Sequence, residues 1–230
     1  MALNERDYVN AQEGMLAQEL SSVAFMKKTY QLLAASMVAA AAGAYATMQF
    51  VETISIPAVY YSIFGFELFM LFVGLRVTRN HPGLNLAALF IFTFATGVSL
   101  VPLLSYFIDN GSGAVIGNAF LATSVLFGSL SLFAIKSKKD YSSWGKPLFI
   151  TLIVVILAIL VNMFILHSPI AHVIITAVIL ILFSFFTIYD TQNIANGAYA
   201  SPVDAAVSLY IDFFNMFTSL LQLLGIFGDD

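Results

Sequence analysis

Seven apolar stretches, at 29–50, 54–75, 84–107, 113–135, 147–166, 170–194 and 203–227, take up most of this chain. A helix needs about 20 residues to cross a bilayer core, and each stretch is of that length. Between them lie only short, polar or turn-forming connections: Val51-Glu52-Thr53, Arg76 to Gly83, Ile108 to Ser112, Lys136 to Lys146, His167-Ser168-Pro169, and Ala195 to Pro202. None is long enough to fold as a separate domain. The pattern predicts an all-α polytopic membrane protein. A polar, mixed-charge segment at 1–28 precedes a seven-helix transmembrane domain at 29–227.

Composition agrees. Charged residues make up 10% of the chain, against about 25% in soluble domains. So few charges cannot cover a water-soluble globule, and 60% hydrophobic residues exclude a disordered chain. A net charge of −4 with no basic patch excludes nucleic acid as a partner. Cysteine is absent, which removes disulfides, thiolate metal sites and a cysteine nucleophile. The N-terminal segment carries Glu5, Arg6, Asp7, Glu13 and Glu19, unlike a cleavable signal peptide.

The basic residues orient the bundle. Arg6, Lys27 and Lys28 precede the first span. Arg76 and Arg79 follow the second, and Lys136, Lys138, Lys139 and Lys146 follow the fourth. If the spans alternate, all nine fall on one side, which the positive-inside rule makes cytoplasmic. The N-terminus is then cytoplasmic and the Gly228-Asp229-Asp230 end outside. Trp144 beside Lys146 reads as an interfacial anchor, and His81, His167 and His172 as interfacial residues. Small residues on the first span (Ala34, Ala35, Ala39 to Ala42, Gly43, Ala44, Ala46) and on the fourth (Gly117, Ser124, Gly128, Ser131) read as helix-packing faces.

Three acids lie inside spans: Glu67, Asp190 and Asp212. An acid at the bilayer centre costs about 2.5–3.5 kcal/mol on insertion scales, so it faces a cavity or partner, or else snorkels. Asp190 and Asp212 flank the turn at Ser201-Pro202 on consecutive antiparallel helices, which places both in the cytoplasmic half. On the last helix, Asp204, Ser208, Asp212, Asn215, Ser219 and Gln222 recur at helical spacing as one polar stripe. That stripe reads as an interior path or a buried hydrogen-bond network. Two carboxylates in contact at low dielectric cannot both ionise cheaply, so they titrate as a unit. Such a pair is a pH-gated latch, and its ionised form offers oxygens to a hard cation such as calcium.

Ile188-Tyr189-Asp190-Thr191-Gln192, Ser208 to Phe217, and Leu223-Leu224-Gly225-Ile226-Phe227 resemble the last two helices of the Bax inhibitor-1 family. Gly97 to Pro102 resembles that family's Gly-x-x-x-x-Pro element, and Lys138-Lys139-Asp140-Tyr141 its loop after the fourth span. The resemblance covers the chain from about Lys27, and the short loops look like the bacterial branch. It implies a seven-helix bundle with the seventh helix central, in the bacterial cytoplasmic membrane. It implies a pH-sensitive calcium leak governed by an aspartate pair, by motif match Asp190 and Asp212. It further implies an acid on the second helix in the pathway, for which Glu67 is the natural residue. The resemblance also implies a closed-state arginine near that helix's cytoplasmic end, where Arg76 and Arg79 are both candidates.

The preferred expectation is a calcium leak with no enzymatic activity and no tightly bound cofactor. Its partners are the lipid bilayer, protons and calcium, the permeant ion, which the Asp190–Asp212 pair would bind transiently. Ser208 and Asn215 join Glu67 and the arginines as pathway or latch candidates. The alternative is a regulatory protein that binds and modulates a membrane-bound AAA protease, as some bacterial family members do, with the N-terminal segment as its exposed handle. An intramembrane aspartyl protease would carry Gly-x-Gly-Asp where this chain has the bulky Leu209-Tyr210-Ile211 before Asp212. A retinal photoreceptor would need a lysine inside the seventh span, and none is there.

Overall fold

A computed structural model of the chain describes residues 5–227. Asp229 and Asp230, whose side of the membrane the charge count predicts, lie outside the described residues, as do residues 1–4. Among the described residues there is no strand, and seven helices are long and apolar enough to cross a membrane. They are α1 (Glu5–Thr47), α2 (Pro57–Thr78), α3 (Pro82–Asp109), α4 (Gly113–Lys136), α5 (Ser142–Leu166), α6 (Pro169–Ala195) and α7 (Pro202–Phe227). After Thr47 the first span continues through a 3-10 turn, Met48–Phe50, and a short helical turn, Val51–Ile54. At the other end α1 starts at Glu5, so the polar segment and the first span share one unbroken helix.

Proline sets most of the starts. Pro57, Pro82 and Pro169 stand in the first turn of their helices and Pro202 opens α7. Proline suits that place because its missing N–H would have no partner there and its φ is already helical. Glycine sets two of the ends. Gly111 (φ 74°) and Gly197 (φ 71°) follow α3 and α6 in the left-handed conformation that terminates a helix. Two helices contain π-helical turns, Met70–Gly74 in α2 and Asn162–Leu166 at the end of α5.

Helix α3 packs most extensively on α1, and α7 on α6, α1 and α4, while α2 lies against α3 and α5 against α6. Burial is concentrated in two inner helices, α3 and α7, rather than in the seventh alone. The core is built from Leu89, Phe92, Leu209, Phe213, Met216 and Leu221. By contrast α5 exposes Phe149, Ile150, Val154 and Leu157, a face that only hydrocarbon would solvate well.

The small residues divide by position. A Cβ on Gly97 would collide with the Ala40 carbonyl oxygen, and one on Gly43 with that of Phe94, so these glycines let α1 and α3 meet backbone to backbone. On α4 the expectation fails for the two glycines, because a Cβ on Gly117 or Gly128 would meet nothing. Helix α4 buries a face offset from them, through Ala119, Thr123, Phe127, Ser131 and Ala134.

Candidate functional site

The α6–α7 hairpin forms as its sequence requires. Helix α6 stops at Ala195, Gly197 reverses the chain, and the Ser201 hydroxyl accepts the Asp204 amide at 3.1 Å to start α7. Asp190 lies five residues before its helix end and Asp212 ten residues after the start of its own. At 1.5 Å per residue these are depths of about 8 Å and about 15 Å, so Asp212 is the deeper acid.

None of the three acids snorkels. Relative exposure is 7% for Glu67, 7% for Asp190 and 2% for Asp212. Asp190 is satisfied from the turn, where the Tyr199 hydroxyl donates to its Oδ1 at 2.8 Å. Asp212 Oδ2 and Glu67 Oε1 are buried without a hydrogen-bond partner among the described residues. Burial first, then the charge of Asp190, raises the Tyr199 phenol above its ordinary value; Ser208 opposes the rise and Asp212 adds to it. The phenol therefore stays protonated, and both carboxylates act on it. Tyr199 is thus hydrogen-bonded to Asp190, and Asp212 acts on the same hydroxyl electrostatically.

The remaining candidates line a series of cavities along α7. Arg76, Arg79, Tyr199, Asp204 and Ser208 surround a cavity of about 330 Å³ at the basic end of the bundle. Arg79 spans its mouth to Asp204, with Nη2 and Nε at 2.8 and 2.9 Å from Oδ2. Thus Arg79 pairs with Asp204 of the last helix and with neither Asp190 nor Asp212, while Arg76 lines the same cavity. Leu71 separates this space from a smaller one of about 170 Å³ that holds Glu67 and Asn215. Tyr210 and Thr96, hydrogen-bonded to each other, wall the smaller cavity. Asn215 also faces a third cavity of about 390 Å³ at the far end, where His172 Nε2 and Gln222 Oε1 stand 3.0 Å apart.

The polar stripe of α7 thus addresses three chambers. Asp204 and Ser208 face the first, Asn215 the second and third, and Ser219 and Gln222 the third. Residue patterning missed Tyr199, because a turn residue belongs to neither helix's periodicity. Its one signal is a hydroxylated aromatic four residues beyond Ala195, within reach of the last turns of α6. Among the described residues no three His, Cys, Asp or Glu side chains gather to hold a metal. Calcium takes six to eight oxygens. Two carboxylates and one phenol fall short of that number.

Seven apolar helices around an interior that buries three acids define an integral membrane protein with a polar, acid-bearing core. The chain belongs to the Bax inhibitor-1 family: the family model described as inhibitor of apoptosis-promoting Bax1 matches residues 22–229. A protein of Helicobacter pylori is 44% identical over 218 residues, 94% of this chain and 93% of the relative. A protein of Campylobacter jejuni is 43% identical over 231 residues, 99% of both chains. The Escherichia coli protein named modulator of FtsH protease YccA is 31% identical over 211 residues, 92% of this chain and 94% of its own.

Proposed function

We propose that this chain is a regulatory protein of the bacterial inner membrane that binds a membrane-bound AAA protease and modulates it. The observation that carries this reading is the full-length similarity to the Escherichia coli protein named as a modulator of FtsH protease, which spans every helix of the bundle. The lone helix that runs from Glu5 into the first span supports it, because it is the longest element beyond the bundle's apolar body. Affinity purification of the full chain from native membranes tests it. An ATP-dependent membrane protease should co-purify, and deletion of residues 2–24 should release it. Failure to recover such a protease, with unchanged lifetimes of its substrates in cells lacking this chain, overturns the reading.

A second reading is favoured by one observation, the buried and unpartnered Asp212 Oδ2 next to the Tyr199–Asp190 pair. It is a proton-responsive calcium leak, without enzymatic activity, in which Asp190 and Asp212 form the gate. Glu67, Asn215 and Ser208 border the path, and Arg76 and Arg79 border its cytoplasmic mouth. Calcium flux into liposomes holding the purified chain tests it. Flux should change between pH 6 and 8 and fall with Asp212→Asn; a flat profile, or flux indifferent to that substitution, rejects it.

A further inference from the structure

A further cavity of the bundle is walled almost wholly by apolar side chains. Its volume is about 360 Å³, and it lies among α1, α3, α4 and α7. Met37, Ala41 and Ala44 bound it on α1, Gly117 and Phe120 on α4, and Phe213 on α7. Helices α1 and α4 do not pack on one another along their length, so the space has a side window between them. Ala41 and Gly117 are exposed at that window, and a Cβ on Gly117 would meet nothing within 4 Å. The floor is closed. Tyr210 turns its hydroxyl to Thr96, and Phe213 stacks edge-on with Phe120 and Phe127.

Three properties of this space identify its occupant. Its walls are apolar, so water finds no partners there. Its window opens from membrane-spanning segments in the half of the bundle away from the basic loops, so the medium outside is hydrocarbon. Its size excludes a helix: a helix about 10 Å across would use the whole volume within about one turn. The same volume takes roughly a dozen methylenes, at about the 30 Å³ of a liquid water each. An empty space of this kind would forfeit the dispersion contacts of every side chain that lines it.

We propose that this cavity is a binding site for one phospholipid acyl chain, entering between α1 and α4 from the leaflet opposite the basic loops. The site is built by smallness on the rim (Ala41, Ala44, Gly117) and aromatic surface on the floor. The floor belongs to α7, the helix that carries Asp212, so an acyl chain held there packs directly against that helix.

The test uses the full chain in phospholipid vesicles doped with phosphatidylglycerol bearing a diazirine at the end of one acyl chain. Photolysis should label peptides containing Met37 to Ala44, Phe120 and Phe217 in preference to the exposed apolar face of α5. Gly117→Leu fills the cavity and should lower that labelling several-fold, as should Ala41→Leu. Gly128→Leu, on the same helix and also in open space, should leave it unchanged. Equal labelling of the α5 face, or labelling indifferent to both filling substitutions, overturns the proposal. Gly117→Cys gives a second readout in a chain without native cysteines. Efficient disulfide capture of a second copy, or of another protein, would mean that a polypeptide covers the window and would equally overturn it.

Discussion

Tyr199 reaches back from the α6–α7 turn and donates its hydroxyl to Asp190 Oδ1 at 2.8 Å, closing the hairpin over its own buried acid. A hydrogen bond to a charged group is worth about 1.5–3 kcal/mol. Tyr199→Phe should therefore lower unfolding stability in detergent by about 1–3 kcal/mol. The pH dependence carries its own sign. The folded state holds the phenolic proton more tightly than the unfolded chain does. That contribution is complete below the ordinary tyrosine value of 10.0 and drains away as pH rises above it. The native chain should thus lose stability above pH 10 more steeply than Tyr199→Phe, by about one proton, or about 1.4 kcal/mol per pH unit. Denaturation midpoints between pH 9 and 11 check this.

The Arg79–Asp204 pair is the ion pair at the mouth of the basic-end cavity, but its side chains are 49% and 24% exposed. Solvent screening limits such pairs to about 0–1 kcal/mol. A double-mutant cycle with Arg79→Ala and Asp204→Ala should give a coupling below about 1 kcal/mol that shrinks further in high salt. A coupling of several kcal/mol would mean that the pair is desolvated in the membrane-embedded protein.

The glycines should separate sharply by site. Gly97→Ala drives a methyl into the Ala40 carbonyl and pushes α1 from α3. Overpacking of this kind costs about 1–3 kcal/mol, and here the obstacle is backbone, so the upper end is expected. Gly128→Ala meets nothing and should be neutral or stabilising by up to about 1 kcal/mol through helix propensity. Unfolding in mixed micelles ranks the two.

Gln192 clasps the loop between α4 and α5. Its Oε1 accepts the Tyr141 amide at 2.6 Å and its Nε2 donates to the Lys139 carbonyl at 2.8 Å. Gln192→Glu removes the donor and buries a charge, a change expected to cost about 1–3 kcal/mol locally. Trypsin cleavage at Lys138 and Lys139 should accelerate accordingly, with little effect on cleavage elsewhere.

The spans were legible because each depends on a property the chain carries locally. Twenty apolar residues in a row make a membrane helix, and Ser201-Pro202 at the α7 start reads the same in sequence and structure. Cost alone left Glu67, Asp190 and Asp212 either enclosed or snorkelling, and the fold encloses all three. What depends on the rotation of one helix against another was not legible. Gly43 and Gly117 look alike in sequence, yet one sits at a backbone crossing and the other beside a void. Likewise Arg76 and Arg79 both suit a partner acid by position, and only the fold gives Arg79 to Asp204. Tyr199 escaped notice for a related reason, since its role arises from where a turn folds back and not from a periodic face.

The π-helical turn at Met70–Gly74 lies between Glu67 and the two arginines of α2. It takes in one residue more than an α-helical turn would. Below it α2 presents Glu67 to the chamber shared with Asn215; above it the same helix presents Arg76 and Arg79 to the chamber of Asp204. The turn therefore works as a phase shifter, setting the angular offset between an acid and a pair of bases on one rod. Winding the same residues as a regular α-helix would swing one group by about 100° relative to the other. A lineage could thus retune which charges face each other across this interface by exchanging the wide turn for a regular one of the same length, without touching any charged side chain.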